Sequence, residues 1–231
     1  MISLKLKRYS FIFVLLLSSV TLMGQKRLMQ PEIYLGVHGG AAASTVFFSP
    51  QVSYMTPITK GCVLGGEGGL VFRYSEQKCC AIQIELNYLQ RGWAEKGQDA
   101  YGAANYTRKL HYIEMPVLMH LYFGSSSFRG FVNVGPQIGY CVKEEMLGEQ
   151  APFGGDQYKP IDNRFDWGVG GGLGFYYRSR NAGVYQFDIR VGYSLGTVFS
   201  NKAGADFSKS NPLTVGVGLA WLWEFKTKDK K

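Results

Sequence analysis

Beyond roughly its first two dozen residues the chain has no apolar run that could cross a bilayer as a helix, which takes about 20 consecutive apolar residues. Any passage through a membrane therefore has to be made by strands. Charge is also scarce: Asp, Glu, Lys and Arg make up 18% of the sequence. The formal charge of +8 includes Lys5, Lys7 and Arg8; removing these three from the 25 basic residues leaves 22 against 17 acidic ones. They are scattered, apart from a solvated tail at Lys226, Lys228, Lys230 and Lys231, and form no face with stacking aromatics. Nucleic acid is excluded as a partner. The three histidines and four cysteines show no metal-ligand spacing. Neither an H-E-x-x-H pair nor a Walker loop occurs, and the glycine-rich run at 168–174 lacks G-x-G-x-x-G spacing. These absences leave no catalytic residue, metal or cofactor to assign.

The amino terminus reads as an export signal. Lys5, Lys7 and Arg8 precede an apolar segment at 11–23 that is too short to span as a helix, and small residues follow. The expected division is a signal peptide at 1–24, one domain at 25–225 and a basic tail at 226–231. No cysteine stands at the cleavage point, so a lipoprotein anchor is not expected. Export makes disulfides possible, but strand phase argues against them. Cys62 and Cys80 fall on outward faces, Cys79 and Cys141 on inward faces of different strands, and a Cys79–Cys80 bridge would be strained. Free thiols are expected.

What the chain does have is alternation. Eight stretches, at 32–43, 61–74, 79–91, 109–123, 128–142, 164–178, 184–196 and 212–225, place large apolar residues against polar or tiny ones with period two. In the seventh, Tyr185, Phe187, Ile189, Val191 and Tyr193 share one face, and Gln186, Asp188, Arg190, Gly192 and Ser194 the other. The connections run long, short, long, short, long, short, long. Tight turns at one rim and large loops at the other predict an all-β fold, an eight-stranded antiparallel up-and-down transmembrane β-barrel. Tyr88, Tyr140, Phe165, Trp167 and Tyr193 would ring the long-loop rim. Phe72, Phe123, Phe128, Tyr177, Tyr185, Trp223 and Phe225 would ring the short-turn rim, as at a bilayer's two interfaces. A water-soluble barrel would turn these residues inward.

Eight strands leave a lumen that side chains fill. A turn centred on 75–78 sets Arg73 opposite Cys79 and Glu67 opposite Glu85, with Glu114 at similar depth. The next expectation pairs Tyr177 with Tyr185, hence Gly172 with Arg190 and Gly174 with Asp188. A structural ion network follows, in which Arg190, helped by Arg73 or Arg129, neutralises Glu67, Glu85 and Glu114. A catalytic carboxylate pair is disfavoured because a plugged lumen offers no substrate path. His38 and His120 should point inward and His111 should lie near the long-loop rim, with no serine to complete a lipid-modifying site. The second loop (Trp93, Tyr101, Tyr106, Lys96, Arg108) and the acidic third loop (Glu144, Glu145, Glu149, Asp156, Asp162) are the expected contact surfaces.

Six short stretches carry a resemblance: G-V-H-G-G at 36–40, E-L-N-Y-L-Q-R-G at 85–92, Y-I-E-M-P-V-L at 112–118, V-N-V-G-P-Q-I-G-Y at 132–140, D-W-G-V-G-G-G at 166–172 and D-I-R-V-G-Y-S-L-G at 188–196. In this order, with the closing apolar strand to Phe225, the chain resembles the PorT-type outer-membrane β-barrel family of Bacteroidetes. The resemblance implies the outer membrane, contact with its lipid, and insertion by barrel-assembly machinery that reads an aromatic at the very end of the chain, whereas here six residues follow Phe225. It implies location and architecture more than activity: most relatives are porin-like, and the namesake serves a secretion pathway. The leading expectation is a non-enzymatic barrel that anchors or assists surface or secretion components. Small-solute transport is the alternative.

Overall fold

The computed structural model describes residues 31–50, 60–75, 79–95, 106–125, 127–148, 159–179, 182–199 and 207–226. The expected export signal and its cleavage point, residues 227–231 of the tail, and much of the long connections lie outside the described residues. The strands are β1 (Glu32–Pro50), β2 (Lys60–Gly61), β3 (Val63–Ser75), β4 (Cys80–Glu95), β5 (Tyr106–Gly124), β6 (Phe128–Gly148), β7 (Phe165–Ser179), β8 (Gly183–Ser194) and β9 (Phe207–Lys226). β2 prolongs β3 past Cys62, since both pair with β4, so the ring counts eight strands. All neighbours are antiparallel and consecutive, β9 closes onto β1, and no helix occurs among the described residues.

The ring is staggered. Following partners from Ile33 through Tyr74, Ile82, Met119, Val134, Gly171, Val191 and Val215, one circuit returns to β1 at Ala43, ten residues on. Stagger and strand number together set tilt and diameter, and eight strands give an interior that side chains can fill. The faces divide as the alternation requires. Every aromatic of the two expected belts is exposed, as are Ile189 and Val191, while Asp188, Gln186 and Ser194 on the same strand are buried.

The strands exceed the bilayer. About 9–11 tilted residues span one, whereas β1 and β5 have 19 residues, β9 20 and β6 21. The excess extends the wall at the long-loop end, where an inward apolar cluster forms. Trp93, Leu110, Tyr112 and Cys141 pack with Val46, Ile161, Val198 and Phe199. This corrects the expected contact surfaces: Trp93, Tyr106 and Arg108 are strand residues buried inside the extended barrel, and Glu144 bonds to Arg108. Tyr101, Lys96, Glu149 and Asp156 lie outside the described residues. A second inward cluster, Tyr34, Tyr122, Phe131, Tyr176 and Leu222 among its members, sits at the short-turn end.

All four cysteines are free. Cys79 is exposed at the β3–β4 turn, not turned inward as its phase suggested, because pairing of β4 begins only beyond it. At the β7–β8 turn Gly183 has φ +86, and a Cβ there would lie 2.4 Å from the Leu222 carbonyl oxygen. Both facts demand glycine.

Candidate functional site: the charged lumen

Between the two apolar clusters the lumen is polar. Alternation brings Gln83, Glu85, Asn87 and Arg91 inward from β4, and Gln186, Asp188, Arg190 and Ser194 inward from β8. These strands stand on opposite sides of the ring, so their side chains meet across it. Arg190 donates from Nη1 to Glu85 Oε2 at 2.5 Å, from Nε to Asp188 Oδ1 at 2.6 Å and from Nη2 to Asp188 Oδ2 at 3.1 Å. Each carboxylate also accepts from a glutamine amide: Gln83 Nε2 to Glu85 Oε1 at 2.5 Å, Gln186 Nε2 to Asp188 Oδ2 at 2.7 Å. Arg73 donates to the oxygens of both amides, to Gln83 at 2.8 Å and to Gln186. The six residues form one closed hydrogen-bonded loop across the barrel, with an arginine at each pole.

Beside it, Asn87 Nδ2 donates to Glu85 Oε2 at 2.9 Å, and Asn87 Oδ1 contacts His38 Nε2 at 2.7 Å. Nearer the long-loop rim Arg91 makes a second tie. Its Nη2 meets Asp166 Oδ2 at 2.5 Å, its Nη1 meets Glu114 Oε1 at 3.0 Å and Ser194 Oγ at 3.1 Å, and its guanidinium stacks 3.6 Å over the Tyr112 ring. Charge-assisted bonds of this kind are roughly twice as strong as neutral ones. A cavity of about 60 Å³ separates the ties, lined by Glu67, Glu85, Glu114, Arg91, Arg190 and Thr214 among others.

The sequence-derived residues are partly brought together. Glu85 and Arg190 are in contact, with Glu67 4.0 Å from Arg190. Glu114 pairs with Arg91 instead, and Arg73 reaches the acids only through amides. Arg129 lies apart at the short-turn rim, bonded to the Tyr176 hydroxyl at 3.2 Å and the Ser125 carbonyl at 3.1 Å. Glu67 does not oppose Glu85. Tyr74 pairs with Ile82, so Arg73 meets Gln83, Val71 meets Glu85, and Glu67 meets Leu89. The turn is longer than expected, and the offset is an even number of residues, which leaves every paired side chain of the hairpin on its expected face. The β7–β8 hairpin pairs Gly172 with Arg190 and Gly174 with Asp188 as expected. Arg91 and Asp166 were absent from the sequence-derived set, although both carry the inward phase of their strands.

His38 and His120 are buried and inward, His120 against Asn133 Oδ1 at 2.6 Å. His111, at a register shift in β5, contacts the Tyr88 hydroxyl at 2.5 Å through Nδ1 and lies 3.6 Å from Glu145 through Nε2.

The sequence profile of the outer membrane protein beta-barrel domain matches residues 24–200. The chain belongs to that family. An outer membrane beta-barrel domain resides in the outer membrane, with the apolar wall in lipid and the charged groups enclosed. No curated protein matches the sequence. Among solved structures, the outer membrane protein OprG of Pseudomonas aeruginosa superposes with a TM-score of 0.52 at 12% identity, covering 83% of this chain and 95% of that one. Neisserial surface protein A superposes with a TM-score of 0.44 at 11% identity, covering 85% and 99%. At such an identity the likeness to OprG shows the fold alone.

Proposed function

We propose that this outer membrane barrel is non-enzymatic and PorT-like, with an occluded lumen, and that it anchors or assists surface or secretion components through its outer loops. The observation that carries this reading is the content of the lumen: cross-barrel arginine–carboxylate ties stacked between two apolar clusters. Such a barrel has more use for its wall and rims than for a passage. Its lipid partner is the outer membrane, and barrel-assembly machinery would engage the closing strand β9, whose last outward aromatic is Phe225. Crosslinking in intact envelopes followed by pull-down should recover a secretion or surface component. The purified barrel in a planar bilayer should give no stable conductance. Large, stable channels would instead establish the small-solute porin.

The non-enzymatic reading has its own support. His111 has a tyrosine hydroxyl and a carboxylate beside it and no serine partner among the described residues. His111→Ala should leave lipid A mass unchanged, whereas a mass change dependent on His111 would make the protein a lipid-modifying enzyme.

A further inference from the structure

Two of the four free cysteines stand next to each other at the β3–β4 turn, on the short-turn rim, which is the periplasmic side in barrels of this type. In a regular strand neighbouring side chains point to opposite faces, and the phase of β4 would send Cys79 into the lumen while Cys80 looks out. The turn cancels that separation. Cys79 lies ahead of β4 and is exposed, Cys80 is half-buried, and the two thiols hydrogen-bond to each other. Their backbone is held from β5: the Cys79 carbonyl accepts from Tyr122 N at 2.9 Å, and Cys80 pairs with Leu121. The pair is thus fixed in place before anything binds. The other two thiols do not join it. Cys62 sits at the far end of β3, next to β2, and Cys141 is buried in the long-loop cluster around Trp93. Nor does the pair close readily on itself. Adjacent Cα atoms lie about 3.8 Å apart across a trans peptide, short of the roughly 4.4 Å at which relaxed disulfides begin. The barrel therefore keeps two contiguous sulfurs at this rim that a direct S–S bond would strain.

We propose that Cys79 and Cys80 form a binding site at the periplasmic rim for one soft monovalent metal ion of the copper(I) class, held between the two sulfurs. Thiolates are soft ligands and select soft ions. The number of ligands narrows the choice further. Structural zinc takes four ligands, and no group of three or more His, Cys, Asp and Glu that could hold a metal occurs among the described residues. Copper(I) is satisfied by two sulfurs. Binding replaces two S–H bonds by two S–Cu bonds and releases two protons, with no change of oxidation state. A metal between the sulfurs also lengthens the link by one atom, which removes the constraint that disfavours a direct S–S bond. The site does not depend on the PorT-like reading, because it lies on the rim opposite the outer loops.

The barrel, refolded in detergent and kept free of oxygen, is titrated into the coloured complex of copper(I) with bicinchoninate. Wild type should withdraw one copper(I) per barrel and bleach the complex to that extent. Cys79→Ser and Cys80→Ser should each lose the bound copper, and Cys62→Ser should keep it. Cys79 is exposed at a turn, so Cys79→Ser should retain the heat-modifiable gel band, and it carries the comparison if Cys80→Ser does not refold. Phenylarsine oxide gives a check without copper. It condenses with two neighbouring thiols, forming two As–S bonds and releasing one water. In wild type it should shield Cys79 and Cys80 together from iodoacetamide, and in either single variant it should leave the remaining thiol open to alkylation. No bleaching by wild type, or alkylation of both cysteines undiminished by the arsenical, would overturn the proposal. Copper retained by both serine variants would overturn it as well, and so would half an ion per barrel with a doubled particle size, which would make the metal a bridge between copies.

Discussion

Arg190 serves two buried acids at once, Asp188 and Glu85, from a side chain that is itself 17% exposed. Arg190→Met keeps the length and removes every donor, leaving two enclosed carboxylates whose remaining partners are amides. Breaking a buried ion pair from one side costs about 3–5 kcal/mol, so the variant should unfold at a clearly lower temperature on semi-native gels. Arg129 supplies the contrast. It bonds a hydroxyl and a carbonyl at the short-turn rim, where water can replace it. Arg129→Met should cost no more than about 2 kcal/mol, the net worth of two ordinary hydrogen bonds. Equal losses in the two variants would show that the cross-barrel loop has no special structural weight.

At the scale of the strand and the hairpin, the alternation made the faces legible. Period two fixes inward and outward for any register, so Glu85, Asp188 and Arg190 were recognisable as lumen residues before any partner was known. The β7–β8 register was legible too, because a short connection through Gly183 leaves little choice. The β3–β4 register was not. Two pairings differing by an even offset present identical faces, and residues 75–79 contain no glycine to position the turn. The strand ends were equally hidden. Trp93, Arg108 and Glu144 look like loop residues by composition, and only the inward cluster around Trp93 reveals an extended wall. Arg91 was missed for the same reason, standing at what seemed the last residue of its strand. The turn itself is testable. Gly183→Ala meets both a left-handed backbone and the Leu222 carbonyl oxygen, and strain of that kind costs about 1–3 kcal/mol. Gly66→Ala, which meets nothing within 4 Å, should be close to neutral in the same unfolding assay.

For the molecule as a whole, the ordering of the barrel inverts that of a soluble protein, and one strand tests the inversion. Ile189 lies midway between Tyr185 and Tyr193 of the two aromatic belts, exposed on the outer wall, with the buried Asp188 preceding it and Arg190 following it. Three consecutive positions thus alternate between ionic lumen and hydrocarbon. A lysine near the bilayer midplane on the lipid face costs about 2–4 kcal/mol, so Ile189→Lys should cut the yield of heat-modifiable barrel refolded into lipid vesicles. In short-chain detergent micelles, which let the ammonium reach water, the loss should be much smaller. A residue packed in a soluble core would fail alike in both media, since its lysine would have no route to solvent in either. Equal damage in vesicles and micelles would therefore place Ile189 in an interior and turn the barrel inside out, whereas a loss confined to lipid holds the charged face to the lumen.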